Sequence, residues 1–226
     1  MRFFCCLLII CLHAIACGGY NSERRVSSHT PEGGAVESEL SAGLVGWKET
    51  VFLLVHEKAP SNIIAAIYKA SDSWNRAVGF SLIEVAGSFS AERGGGLYSS
   101  LDDTFTVVYF EENWNNTTGK QAETLATTVW EVSDDSPDTI VRGDVILNAE
   151  YYYFADALDE GFVDTGLQVA DAETVLLHEM GHLLGLGHAS DDEGSVMLSK
   201  TAVGYGAAKR VLSGQDIENI KQLYDE

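Results

Sequence analysis

The chain has 226 residues, of which 46% are hydrophobic and 10% aromatic, and this is enough to bury one sizeable core. Its 34 acidic residues outnumber 14 basic ones, which gives a formal net charge of −20. Because a polyanion cannot release counterions from phosphate groups, this charge excludes nucleic acid from the expected partners. We therefore expect a single folded domain, acting as a monomer.

The N-terminus has the pattern of an export signal. Arg2 precedes an apolar run from Phe3 to Ala16 that is too short to span a bilayer and ends in small residues. This pattern predicts a signal peptide at residues 1–16 and an extracytoplasmic location, with a buried strand as the alternative. Cys17 follows directly and resembles the cysteine of a bacterial lipoprotein box. Lipidation of Cys17 with membrane anchoring, and simple cleavage with release, both stay open.

Residues 17–46 are polar and rich in Ser, Gly and Glu, which predicts a tether or a short pro-segment. The folded domain is expected at residues 47–226. It opens with a compact apolar run, Thr50 to Glu57, that predicts a buried strand. A helix follows, capped by Ser61 and ended by Gly79. Its apolar face repeats at steps of three and four residues and consists of Ile63, Ile67, Ala70, Trp74 and Ala77.

Strand-like runs come next, since they are rich in β-branched and aromatic residues. They are Phe80 to Ala86, Phe105 to Phe110, Thr124 to Glu131 and Gly143 to Asn148. Turn residues from Ser133 to Asp138 favour a hairpin between the last two. Two more helices are predicted, one capped by Asp171 and running to Gly185 and one capped by Ser213. This order predicts an α+β fold with a mixed, twisted sheet of about five strands.

Residues 178–188 read HEMGHLLGLGH. Side chains four residues apart share one face of a helix, so His178 and His182 can bind one ion. A third ligand at His188 requires the chain to turn, which Gly185 permits. Three neutral imidazoles leave zinc an open position for water, as in catalytic zinc sites. Glu179 is then the expected general base towards that water.

Packing or surface histidines are the alternative explanation, but chance rarely produces this spacing of five specified residues. The pattern is the metzincin signature, and the chain resembles the matrixin branch of the metzincins. Ser195-Val196-Met197 resembles the Met-turn of that class. By this resemblance, Met197 packs beneath the zinc-bound histidines without binding the metal, and one zinc ion is the cofactor.

The resemblance also implies how a substrate binds. The strand Thr124 to Glu131 would be an edge strand that pairs with an extended peptide, and Leu198 to Thr201 would form one wall of a specificity pocket. Apart from the motif, the mature chain contains only His29 and His56, so we expect no second zinc. Calcium is a further candidate cofactor, through four acids in the loops: Asp156, Asp159, Asp164 and Asp171.

The leading hypothesis is a zinc-dependent endopeptidase that hydrolyses peptide bonds of extracytoplasmic proteins. The first alternative is a non-catalytic zinc-binding or adhesion protein that retains the metzincin fold, and the intact Glu179 argues against it. The second is a zinc hydrolase of non-peptide amides, which only family analogy disfavours.

Overall fold

The computed structural model describes residues 14–16, 45–90, 105–159 and 165–225. Cys17, His29, Asp164 and residues 17–44 of the predicted tether lie outside the described residues. The described strands, in chain order, are β1 (Ala14–Ala16), β2 (Val51–His56), β3 (Ile83–Phe89), β4 (Thr106–Glu111), β5 (Ala126–Val132), β6 (Ile140–Asn148), β7 (Tyr152–Ala155), β8 (Gln168–Asp171) and β9 (Lys200–Ala202). The described helices are α1 (Ser61–Val78), α2 (Trp114–Thr118), α3 (Ala172–Leu183) and α4 (Gly214–Tyr224).

Five strands form one mixed sheet in the order β3-β2-β4-β6-β5. The four strands β3, β2, β4 and β6 are parallel, whereas β5 pairs antiparallel with β6 and lies at the edge. β5 and β6 are joined by the predicted turn at residues 133–138. The prediction of an α+β fold with a five-stranded mixed sheet and three principal helices is therefore confirmed, and so is the edge position of β5.

Helix α1 packs across α3 and closes the main core. Its predicted apolar face is buried at Ile63, Ile67, Ala70 and Trp74. The indole Nε1 of Trp74 donates to the carbonyl of Leu177 at 2.9 Å, so this contact ties α1 to the middle of α3. Gly79 ends α1 in the left-handed conformation, with φ of 86°, as predicted.

Two boundaries differ from prediction. Ser61 is the first residue of α1 and not its cap, because Pro60 occupies the cap position and no side chain caps the helix. A proline needs no backbone partner there. β3 begins at Ile83 instead of Phe80, because the Asn75 side chain accepts from the backbone N–H groups of Leu82 and Ile83 at 2.8 and 2.9 Å. These bonds hold the preceding residues in a turn.

Five short elements were not predicted: the helix α2, the parallel strands β7 and β8, and the antiparallel strands β1 and β9. Each has at most five residues, which is too short for a periodic pattern to be recognised. No helix in the described ranges is long and apolar enough to cross a membrane.

Candidate metal centre

Helix α3 carries the first two histidines of the motif. Asp171 caps it, as predicted, and its carboxylate accepts from the backbone N–H of Thr174 at 2.9 Å. From this start the helix runs for 12 residues to Leu183. His178 and His182 therefore lie one turn apart on the same face, and both are buried.

The chain leaves the helix at Gly185, as predicted. Its φ is 97°, a left-handed conformation that side chains other than hydrogen make costly. An added Cβ would also lie 2.0 Å from the carbonyl oxygen of Val45. The backbone N–H of Leu186 still bonds to the carbonyl of Gly181 at 2.9 Å, which closes a tight turn. The segment after this turn carries His188 back towards the helix.

The three histidines form one cluster. Each offers a ring nitrogen, and these nitrogens all lie within 4.8 Å of one another. The Nε2 atoms of His182 and His188 are 3.1 Å apart, close to the separation of about 3.4 Å that two nitrogens 2.1 Å from a tetrahedral zinc would have. His178 Nε2 is buried without a hydrogen-bond partner. A buried nitrogen without a partner is costly unless a ligand engages it, so the donor set fits a zinc ion.

Backbone carbonyl groups orient two of the histidine rings. His178 Nδ1 lies 2.7 Å from the carbonyl oxygen of Val196, and His182 Nδ1 lies 2.8 Å from that of Leu186. A carbonyl can only accept, so each Nδ1 carries the proton and each Nε2 is left to face the metal. Burial lowers the pKa of His178 to about 4 and the pKa of His182 well below its usual value. Both rings are therefore neutral at pH 7, as metal binding requires.

Met197 lies directly against the helix between these ligands. A Cβ on Gly181 would be 2.3 Å from Met197 Sδ, so the glycine is what allows the methionine to approach. The turn holding Met197 is fixed from α4: the Asp216 carboxylate accepts from the Ser195 hydroxyl and from the Val196 N–H, at 2.5 and 2.9 Å. Met197 is thus held against the part of α3 that lies between His178 and His182.

Glu179 is fully buried beside the cluster, with 0% of its surface exposed. Its Oε2 accepts a hydrogen bond of 2.7 Å from the hydroxyl of Thr128, which lies on the edge strand β5. The carboxylate is thereby held between the metal-binding helix and the strand predicted to bind substrate.

A pocket opens beside α3. It includes three residues of the predicted wall: Leu198, Lys200 and Thr201. His178 and Glu179 line it on the helix side, so the pocket is continuous with the candidate metal centre.

Two of the four acids suggested as calcium ligands, Asp156 and Asp171, bond to an arginine. The guanidinium of Arg210 bonds to the carboxylates of both Asp156 and Asp171. Burial favours the neutral acid at Asp171, but hydrogen bonds from Arg210 and Thr174 outweigh it and lower its pKa. Within the described ranges, only the three histidines form a group of metal-ligand side chains. Calcium binding stays a prediction.

The sequence analysis did not predict a role near the metal centre for three residues: Thr128, Arg210 and Asp216. Asp216 had a local signal, because a Ser at the cap followed three residues later by an acid is a capping box, and Ser213 and Asp216 do form one. The other two had none, because each bonds to α3 from a distant part of the chain.

The motif HExxHxxGxxH, the three convergent imidazoles and the methionine beneath them define the metzincin class of zinc peptidases. Within that class, the family model for the matrixins matches residues 96–225. Since this match covers more than half of the chain, the protein belongs to the matrixin family, and the resemblance found in the sequence is confirmed.

Two curated relatives match over shorter segments. The metalloendoproteinase 5-MMP of Arabidopsis thaliana is 46% identical over 56 residues, which are 25% of this chain and 15% of that protein. The metalloendoproteinase 2-MMP of Arabidopsis thaliana is 43% identical over 67 residues, or 28% of this chain and 17% of that protein. The chain therefore aligns with less than a fifth of either relative's length.

Two solved structures are similar at low identity. High choriolytic enzyme 1, a hatching-enzyme zinc protease of Oryzias latipes, gives a TM-score of 0.40 at 13% identity and covers 80% of this chain and 94% of its own. Myroilysin gives a TM-score of 0.38 at 13% identity and covers 78% of this chain and 80% of its own.

Proposed function

We propose that this protein is a zinc-dependent endopeptidase in which Glu179 acts as the general base. The observation that carries the proposal is the convergence of three imidazole nitrogens beside a buried carboxylate. Family membership supports the same class of reaction. The burial of His178 and His182 keeps them neutral and fixed, so they are ready to bind a divalent cation.

Bound by His178, His182 and His188, zinc would supply Lewis-acid chemistry, lowering the pKa of water and polarising a carbonyl. Glu179 accepts a proton from the attacking water and then delivers it to the amine of the leaving peptide. A carboxylate at this position can serve both steps because it lies directly after the first ligand, on the adjoining part of α3.

The substrate is an extended peptide that adds to the sheet. β5 is the last strand of the five-stranded sheet, and by the matrixin resemblance it is the strand that an extended peptide joins. The pocket beside α3 receives one substrate side chain, and residues Leu198 to Thr201 contribute to its selectivity. In this arrangement, backbone bonds provide affinity and the pocket provides preference.

We propose an extracytoplasmic site of action, on the basis of the signal-like segment at residues 1–16. The substrates would then be proteins outside the cytoplasm. Lipidation at Cys17 and release after cleavage are both compatible with an extracytoplasmic location. Mass spectrometry of the mature N-terminus would distinguish the lipidated protein from the released one.

Hydrolysis of a mixed peptide library tests the proposal, with wild type, Glu179→Ala and the near-isosteric Glu179→Gln compared with and without a chelator. We expect wild type to cleave and the chelator to abolish cleavage. Loss of a general base costs about 10²- to 10⁴-fold, so both variants should fall by that range while zinc content, measured by elemental analysis, stays unchanged.

Two results would contradict this assignment. Equal cleavage by wild type and Glu179→Ala would remove Glu179 from the mechanism. Zinc binding without cleavage by any of the proteins would favour the alternative, a non-catalytic zinc-binding or adhesion protein that keeps the fold.

A further inference from the structure

Thr128 contacts the buried Glu179 carboxylate from β5, the strand that packs against α3. Its side chain lies on β5 and is 1% exposed. The hydroxyl oxygen lies 2.7 Å from Glu179 Oε2 and 3.0 Å from the backbone carbonyl oxygen of Glu179. Both oxygens are acceptors, so the hydroxyl is the donor, and a hydrogen bond to a charged acceptor is among the stronger ones.

The hydroxyl has little freedom to point elsewhere. Thr128 is opposite Val145 in the antiparallel ladder of β5 and β6, so its backbone is fixed by the sheet. A β-branched side chain has few accessible χ1 rotamers, and burial restricts it further. The donor is therefore held at one place relative to α3, and the carboxylate that binds it is held as well.

We propose that Thr128 is a positioning residue for the reaction: its hydroxyl fixes the rotation of the Glu179 carboxylate and couples it to the substrate-binding strand. This inference rests on the proposed function. A peptide that pairs with β5 would be placed relative to the same strand that orients the base. Thr128 would then link the base to the strand that positions the scissile bond.

The alternative is a purely structural role, in which the Thr128 hydroxyl only donates a hydrogen bond to a buried carboxylate and so stabilises the fold. The two roles differ in what a substitution changes. Loss of positioning lowers kcat at nearly unchanged KM, because the interaction matters at the reacting atoms. A substitution that only weakens the fold lowers the melting temperature and the zinc content. Substitution of any other buried threonine would have a similar effect.

The experiment compares Thr128→Val, which keeps the shape and removes the hydroxyl, with Thr128→Ser, which keeps the hydroxyl. Thr106→Val is the matched control, because Thr106 is a buried threonine on β4, a strand that has a partner on both sides. We expect Thr128→Val to lower kcat about 10- to 100-fold, the range typical of lost supporting contacts. KM, zinc content and the control should stay within about twofold of wild type, and Thr128→Ser should recover most of the activity.

Several results would overturn the inference: an unchanged kcat in Thr128→Val, a rise of KM alone, or an equal loss in Thr106→Val. If Thr128→Val fails to fold, Thr128→Ala replaces it, since it differs from Thr128→Ser by a single oxygen. If the wild-type protein has no peptidase activity, the proposed function is refuted, but the contact between Thr128 and Glu179 is not. A crystal structure of Thr128→Val then tests the contact. A Glu179 carboxylate in the same position as in the wild-type protein would overturn the inference.

Discussion

The tight contact between α3 and the Met-turn can be tested by Gly181→Ala. The new Cβ would lie 2.3 Å from Met197 Sδ and 3.0 Å from Trp74 Cζ2, whereas non-bonded carbon atoms prefer about 3.5 to 4.0 Å. Met197 is 2% exposed and Trp74 is fully buried, so neither side chain can move aside into solvent. Either the methionine or the helix must move.

The size of the effect follows from two opposing terms. Overpacking a well-packed core costs about 1 to 3 kcal/mol, while replacing glycine by alanine inside a helix returns up to about 1 kcal/mol. We expect a net loss of about 1 to 2 kcal/mol in the free energy of unfolding. For a domain of this size, the melting temperature then falls by about 2 to 8 °C.

Zinc affinity should fall as well. Val196, next to Met197, accepts from His178 Nδ1, so a displaced Met-turn releases the ring that it orients, and such contacts are worth about 10- to 100-fold in metal affinity. Calorimetry and a competitive zinc titration measure both effects. Gly214→Ala is the control, because a Cβ there meets nothing within 4 Å and should leave both quantities unchanged. A Gly181→Ala protein with wild-type melting and zinc affinity would refute the packing argument.

Two further predictions concern the ends of α3. Gly185→Ala should destabilise the protein by about 2 to 4 kcal/mol, more than Gly181→Ala, because the backbone carbonyl of Val45 cannot rotate away; denaturant melts that rank the two variants in the opposite order would contradict this. Arg210→Met should lower the free energy of unfolding at pH 7 by about 3 kcal/mol, since Asp171 is left buried without its cation. Because the pKa of Asp171 is lowered in the folded state, its contribution is present above about pH 4 and is lost as the pH falls through the folded pKa. The stability difference between wild type and variant in urea should therefore shrink from pH 7 to pH 3, and a constant difference would exclude Asp171 as its origin.

Local patterns were enough to predict the parts of the site that lie within one segment. Spacing along one helix identified His178 and His182, and Asp171 and Gly185 marked where that helix begins and ends. The strongly periodic helix α1 and the β5–β6 hairpin were also predictable for this reason. The boundaries of these elements were less predictable: Pro60, and not Ser61, occupies the cap position of α1.

Contacts between distant segments of the chain could not be predicted from local sequence patterns. Thr128 and Glu179 are 51 residues apart, and neither the strand pattern around Thr128 nor the motif around Glu179 refers to the other. Arg210 likewise reaches Asp171 across 39 residues. Such pairs depend on how the sheet and helices pack, which a periodic pattern does not specify.

The end of α3 shows why the motif alone does not make the site. Its last carbonyls need partners once the helix stops, and these come from both termini of the described domain: Trp47 Nε1 donates to Leu183 O at 2.7 Å, and the Tyr224 hydroxyl donates to Leu184 O at 2.8 Å. Gly185 follows directly and turns the chain towards His188. The helix end from which the chain turns towards His188 is therefore anchored by residues 47 and 224, far outside the motif. It follows that the α3 segment by itself cannot hold the three imidazoles in this geometry, and that the folded domain supplies the preorganisation on which metal binding depends.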